Sequence, residues 1–251
     1  MEVIRVKTVS VCMAVYNGEK FIREQIQSVL IELQSNDELL IFDDLSTDAT
    51  VKIAAEFDYD HRVRIVKNQI QLGVVKNFDR ALGQAKGDYI FLCDQDDVWL
   101  PGKVNLCVTA LQKHLLVVTD CKLVDEILNE TAPSFFNRRH SGNGVFKNIW
   151  KNSYLGCCMA FRKELLSLAL PIPAKIPMHD MWLGLLAELK GSVLFMPIQL
   201  SLYRRHQFAI SATAGKSNLS IFRKVYVRAV LIICLIKRIF YFRFIKSTKN
   251  I

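Results

Sequence analysis

Between Phe91 and Trp99 the chain reads Phe-Leu-Cys-Asp-Gln-Asp-Asp-Val-Trp, an apolar run ending in three carboxylates within four positions, Asp94, Asp96 and Asp97. Like charges this close repel and raise one another's pKa, so either water surrounds them in an acidic turn or a cation sits among them. Carboxylate oxygens suit a hard divalent ion, Mg2+ or Mn2+. A second acidic pair, Asp43 and Asp44, also follows an apolar run. It serves either as N-terminal helix charge or as acceptors for a ligand. Asp180, inside Met-His-Asp-Met-Trp, is either a helix cap or a general base. Arg204, Arg205 and His206 form either a basic surface turn or a contact for phosphate or metal, Arg being suited to bidentate phosphate binding.

The elements that must position these groups alternate. Val9–Val15 is continuously apolar, as in a strand buried on both faces, and Tyr16-Asn17-Gly18-Glu19 breaks it. Phe21, Ile22, Ile26, Val29, Leu30 and Leu33 recur at helical spacing. Glu38–Phe42 predicts a second strand, with Ser46 or Thr47 capping the helix that follows. Val63–Val66, a helix through Phe78, Ala81, Leu82 and Ala85, and Asp88–Leu92 continue the alternation. This is an α/β pattern whose crossovers build a mostly parallel sheet, Rossmann-like, with helices on both faces. Ligands of such sheets sit at the carboxyl ends of the strands, where Tyr16-Asn17, Asp43-Asp44 and Asp94 to Asp97 all fall.

Further on, a helix to His114 and a strand Leu115–Thr119 are predicted, followed by a long mobile loop from Thr131 to Asn152. Tyr154–Phe161 reads as a strand, a proline-rich segment leads to a helix opening near Asp180, and Val193–Met196 and Ile198–Tyr203 read as closing strands.

Charge divides the chain in two. From Lys216 to Ile251 there are nine Lys and Arg and no Asp or Glu, leaving 24 basic and 24 acidic residues before that point. A neutral body with a basic, apolar tail points to an anionic membrane surface and away from nucleic acid. The expected division is a catalytic domain over 1–215 and a membrane-associating tail over 216–251. Ala229–Ile236 is apolar but far short of the ~20 residues that cross a bilayer. Placed on a helix, Lys224, Arg228, Arg238, Lys246 and Lys249 share one sector, and Ile233, Phe240 and Phe244 lie opposite, as in an interfacial amphipathic helix. Met1–Thr8, short and mixed in character, is not expected to act as a signal peptide, and seven cysteines without metal-like spacing fit reduced thiols.

Val-Tyr-Asn-Gly at 15 to 18, Asp-Asp-x-Ser-Thr-Asp at 43 to 48, Gly-Asp-Tyr-Ile-Phe-Leu-Cys-Asp-Gln-Asp-Asp at 87 to 97, His-Asp at 179 and 180, and Tyr-Arg-Arg-His at 203 to 206 together resemble family 2 glycosyltransferases, inverting enzymes of the GT-A fold. The resemblance covers roughly residues 8 to 212 and is closest to bacterial enzymes of O-antigen and capsule assembly. One departure is Ala209, where related sequences often carry Asn, while Ser211 remains.

The resemblance implies a UDP- or dTDP-sugar donor, Mg2+ or Mn2+, and a polyprenyl diphosphate-linked saccharide acceptor at the cytoplasmic face of the membrane. It makes Asp94 and Asp96 contacts for the ribose and the metal, with Asp97 a ligand or an orienting group and His206 a third metal or phosphate contact. Asp43, with Asp44 beside it, would accept from the pyrimidine N–H. Tyr16 would pack on the base, and Asn17 is a turn former or a contact. Lys76 or Asn77 would reach the nucleotide, Arg204 and Arg205 the phosphates, and Asp180 would be the base, flanked by His179. Gly156, Trp99, Trp150 and Tyr154 would line the acceptor pocket. The alternatives are a nucleotidyltransferase, which usually carries a Gly-rich basic loop that residues 16 to 19 do not form, and an inactive nucleotide-sugar binder.

Overall fold

The computed structural model describes residues 7–206 and 220–248, so Ala209, Ser211, Lys249 and most of the Met1–Thr8 segment lie outside the described residues. In chain order the elements are β1 (Val9–Val15), α1 (Ile22–Glu32), β2 (Glu38–Asp43), α2 (Thr50–Ala55), β3 (Val63–Lys67), α3 (Val74–Gln84), β4 (Tyr89–Asp94), β5 (Val98–Trp99) and α4 (Lys103–Leu111). Then come β6 (Leu116–Val124), β7 (Glu130–Ala132), α5 (Phe135–Arg139), α6 (Val145–Trp150), a 3-10 turn (Gly156–Cys158), β8 (Met159–Arg162), α7 (Glu164–Ala169), α8 (His179–Lys190), β9 (Val193–Arg204) and α9 (Ile221–Thr248).

Among the described residues one sheet runs β3-β2-β1-β4-β8-β6-β9-β5, with β7 on the edge of β6. Its first four strands are parallel, and β8 enters antiparallel between β4 and β6. Side chains alternate across this sheet. Leu39, Ile41, Phe91 and Cys93 pack under α1, α2 and α4, whereas Leu40, Phe42, Ile90 and Leu92 pack under α3, α7 and α8. Both faces are therefore core, which is why these strands read as unbroken apolar runs. The register sets the ends level: Val15 pairs with Asp43, and Ala14 with Asp94.

The approach of β4 to β1 is tight at Gly87. A Cβ there would lie 2.5 Å from Ser10 N, and the Gly87 N–H donates to Ser10 Oγ at 2.7 Å. Gly87→Ala is expected to cost about 1–3 kcal/mol, as overpacking against backbone does, read as a lower urea midpoint with an unchanged slope.

Four expectations are corrected. Residues 131–152 are not a long loop; they form β7, α5 and α6. Asp120 pins the segment, accepting from Ser134 Oγ at 2.6 Å and Phe136 N at 2.9 Å, while Ser134 caps α5. Helices of five and six residues show no periodicity in sequence, so only the cap was there to read. Second, α2 is not capped by Ser46 or Thr47. It begins at Thr50, Asp48 accepts from Thr50 N, and Ser46 Oγ accepts from Asn17 N instead.

Third, the two closing strands are one, β9, which passes through the exposed Pro197 with a shift in its pairing to β6. Fourth, the sector of α9 holding Arg228 and Arg238 faces the protein. Leu231 and Leu235 join the core on that side. Arg228 donates to Ile149 O and Trp150 O, and Arg238 to the carbonyls of Leu168, Leu170 and Pro171 while lying 5.3 Å over the Trp182 ring. Long cationic side chains lend their stems to packing and their heads to carbonyls that would otherwise need water.

Candidate active site

β4 delivers Asp94 to the carboxyl edge of the sheet, and Gln95, Asp96 and Asp97 turn the chain toward β5. Gln95 fixes this turn to the exit of β1: its Oε1 accepts from Tyr16 N at 2.8 Å and its Nε2 donates to Tyr16 O at 3.0 Å. Gly18 leaves the room, since a Cβ there would fall 2.4 Å from the Gln95 amide. Asn17 adopts a left-handed conformation (φ 48°), and its Oδ1 accepts from Thr47 N at 2.9 Å, joining the β1 exit to the β2 exit. Asp43 and Asp94 thus stand two strand spacings apart, about 10 Å, with Tyr16 between them.

The acidic turn is compensated from beneath and behind. Arg204, at the end of β9, is almost fully buried. Its N–H donates to Asp97 Oδ1 at 3.0 Å and its Nε to Asp96 O at 2.8 Å, and its remaining donors reach Glu126 O and the Glu24 carboxylate. The guanidinium also lies 4.7 Å over Phe21. Arg204 is turned inward, then, and holds the turn in place rather than facing a phosphate. Two residues on, His206 Nε2 meets Asp96 Oδ2 at 2.8 Å.

A second buried cation was not singled out in sequence. Lys103, 1% exposed, donates from Nζ to Cys157 O at 2.7 Å and Ser201 Oγ at 2.6 Å, and sits 4.4 Å over the Trp99 ring. Its charge lowers the pKa of Asp94 against larger opposing effects. A lysine at the head of an ordinary helix carries no sequence signal of burial. Lys103→Met is expected to destabilise by roughly 1–3 kcal/mol, because it leaves the buried Cys157 carbonyl and Ser201 hydroxyl without their donor; the loss should appear as a lower urea midpoint.

The carboxylates themselves are displaced. Burial pushes Asp94 up to about 8, with Asp96 and Asp180 adding to the shift, and Asp97 is held well above the usual range by burial and by Asp96 and Asp94. Asp97 Oδ2 finds no nitrogen or oxygen partner among the described residues, only the Cys157 thiol alongside. Asp94, Asp97 and Cys157 each bring one donor atom within 4.8 Å of the others. An unpartnered Asp97 oxygen beside Asp94 and Asp96, carboxylates that raise one another's pKa, fits a divalent cation, which would supply what neighbouring protein groups do not.

Asp180 lies in the first turn of α8 and is buried, with the pKa raised to about 7 by burial against the opposing backbone N–H groups of Met181 and Gly156. It is not the helix cap, which is Met178; Asp180 Oδ1 accepts from Met181 N at 2.5 Å. Gly156 lets the 3-10 turn close on this corner, where a Cβ would sit 3.2 Å from His179 Nε2. His179 stacks on Phe78 with centroids 3.9 Å apart, and burial lowers its pKa to about 3, so it is neutral.

Other predicted contacts are placed differently. Asp44 is buried and turned into the 68–73 loop, accepting from Leu72 N, Gly73 N and Asn68 Nδ2. Asp43 is buried too, accepting from Leu45 N and Ser46 N. Asn77 is buried against Phe42 O, and Lys76 is exposed. Arg205 is half-buried and pairs its N–H with Val124 O. Trp99 and Tyr154 are buried in the core, and Trp150 is 70% exposed with the Arg228 guanidinium over its ring.

Residues 10–168 match the sequence profile of Glycosyl transferase family 2. The chain is 27% identical over 218 residues to the UDP-Glc:alpha-D-GlcNAc-diphosphoundecaprenol beta-1,3-glucosyltransferase WfgD of Escherichia coli, covering 83% of this chain and 81% of that one. It is 36% identical over 105 residues to the dTDP-rhamnosyl transferase RfbG of Shigella flexneri, covering 39% and 36%. It spans only 39% to 58% of the length of several other curated relatives. In fold it resembles S. aureus TarS in complex with UDP-GlcNAc, with a TM-score of 0.70 at 18% identity, over 90% of this chain and 66% of that one. It also resembles the mannosyltransferase PcManGT of Pyrobaculum calidifontis in complex with GDP-Man and Mn2+, with a TM-score of 0.61 at 15% identity, over 82% and 59%.

Proposed function

The chain belongs to glycosyl transferase family 2, and on that footing we propose that it is a metal-dependent, inverting hexosyltransferase. It moves a hexose or deoxyhexose from a UDP- or dTDP-sugar to a polyprenyl diphosphate-linked saccharide, in the building of a cell-surface polysaccharide such as O-antigen or capsule. Relatives named for UDP-glucose and dTDP-rhamnose transfer support the donor class. The observation that supports the reading is that Asp94 lies close enough to both Asp96 and Asp180 for each to raise its pKa, Asp180 itself being a buried carboxylate raised to about 7.

In this reading Asp43 and Tyr16 receive the nucleotide base, and Asp94 and Asp96 face the ribose and diphosphate. Asp96 and His206, with Asp94, would hold Mg2+ or Mn2+, which neutralises the charge that grows on a departing diphosphate. Asp180 takes the proton from the acceptor hydroxyl as the oxygen attacks the anomeric carbon and the bond to the diphosphate breaks. A single displacement of this kind inverts the anomeric centre and needs no covalent intermediate. Neutral His179 and Phe78 form an apolar wall beside the base, which keeps its pKa near the pH at which it must work.

The enzyme would act peripherally, at the cytoplasmic face of the membrane that carries the lipid-linked acceptor, with residues 1–215 catalytic and 216–251 holding it there. Transfer from a panel of UDP- and dTDP-sugars to a synthetic diphosphate-lipid acceptor tests this. Failure of every donor in the presence of Mg2+ and of Mn2+ would end it.

A further inference from the structure

The outer face of α9 is apolar for most of its length. Phe222, Val225, Tyr226, Ile232, Ile233, Ile236 and Phe240 are all exposed, Phe222 by 89% and Phe240 by 68%. At 100° per residue they fall within about 120° of arc, opposite the buried Leu231 and Leu235, and run about 28 Å along the helix. α6 adds to it. Phe146 is 88% exposed, and the exposed Trp150 lies 4.5 Å from the Arg228 guanidinium of α9. Soluble monomers rarely leave so large a contiguous apolar surface in water.

Charge says what covers it. Arg223 and Lys237 lie along one edge of the apolar stripe, and the helix contains no acidic residue. The α6 side repeats the pattern: between Thr131 and Asn152 there are four basic residues and no acidic one. A second copy of this chain would bring like charge against like charge, whereas an anionic lipid surface complements both the apolar stripe and its basic edge. No helix among the described residues is long and apolar enough to cross a membrane, and a helix of this pattern meeting a bilayer would lie along its surface.

We infer that α9 and α6 form one composite seat for an anionic bilayer, with Phe222, Val225, Tyr226, Ile232, Ile233, Ile236 and Phe240 entering the lipid beside Phe146 and Trp150. This rests on the membrane reading above and deepens it by assigning the faces: Arg228 and Arg238 bind the domain and the isoleucines bind lipid. The seat is fastened to the catalytic corner, because Arg238 grips the carbonyls of Leu168, Leu170 and Pro171 and covers Trp182, two residues beyond Asp180 in α8.

The test compares the full chain with an Ile233→Ser/Ile236→Ser/Phe240→Ser variant and a Phe146→Ala/Trp150→Ala variant, by co-sedimentation with phosphatidylcholine vesicles with and without 30% phosphatidylglycerol. The parent chain should bind the anionic vesicles, less so in high salt. Each variant should bind them at least 10-fold more weakly, with the parent's far-ultraviolet circular dichroism spectrum and unchanged hydrolysis of the sugar nucleotide. Failure of the parent to bind, variants that bind as well as the parent, or a dimer in sedimentation velocity that the triple variant dissociates would overturn the proposal. Hydrolysis is read separately, so loss of catalysis in the parent would count against the proposed activity and not against the seat.

Discussion

Asp180→Asn should lower the rate of transfer by roughly 10²–10⁴-fold, the range that a positioned general base supplies, while leaving sugar-nucleotide binding within about twofold. The amide is nearly isosteric and its oxygen can still accept from Met181 N, while the oxygen that would take the proton is lost. Burial holds the Asp180 pKa near 7, so the parent's turnover should climb with pH through that value, and the variant's residual activity should not show that limb. A stability effect of opposite sense accompanies it. Between the ordinary carboxyl pKa of 3.8 and about 7 the folded chain keeps a proton that the unfolded chain has released, so Asp180 costs stability progressively as pH rises across that window. The variant should therefore melt higher than the parent at pH 8, by roughly 2–4 °C, and no higher at pH 4. A variant that is inactive but shows neither the missing limb nor the pH-dependent gain would place Asp180 in a merely structural role.

The second large effect belongs to Asp96→Ala. Removing this carboxylate should abolish the rise in melting temperature on adding Mn2+ and cut transfer by about 10³-fold, several kcal/mol of leaving-group stabilisation. His206 loses its 2.8 Å partner in the same substitution, so His206→Ala provides the control. If the imidazole and carboxylate hold one ion, both variants should bind Mn2+ more weakly by titration calorimetry. Undiminished Mn2+ binding in Asp96→Ala would move the ion to Asp94, Asp97 and Cys157, the other group of donors in this corner.

Much of this was open to a reader of the sequence because the parallel half of the sheet obeys strong local rules. Apart from Ser10 and the terminal Glu38, Asp43 and Asp94, the strands Val9–Val15, Glu38–Asp43 and Tyr89–Asp94 are apolar and lead into polar turns, and strands of that kind put their carboxyl ends on one edge. The tertiary uses of polar side chains were not open in that way. Nothing near Lys103 marks it as buried, and nothing about Asp44 or Arg204 shows that they face inward, since the groups that receive them are 24 to 180 residues distant. Helical periodicity gave the sectors of α9 but not which of them packs on the domain. Arginines that donate to carbonyls can be the buried side, as Arg228 and Arg238 are here.

The two-point grip of Gln95 on the Tyr16 backbone has a consequence for engineering. Written as Asp-x-Asp, the acidic segment looks like a portable cassette with a free middle letter. Here that letter must offer a donor and an acceptor together, at a reach that Asn is too short to match and with a pattern that Glu lacks. A chimaera that transplants residues 94 to 97 into a foreign scaffold without the partner strand would carry the charges and leave behind the clasp that aims them.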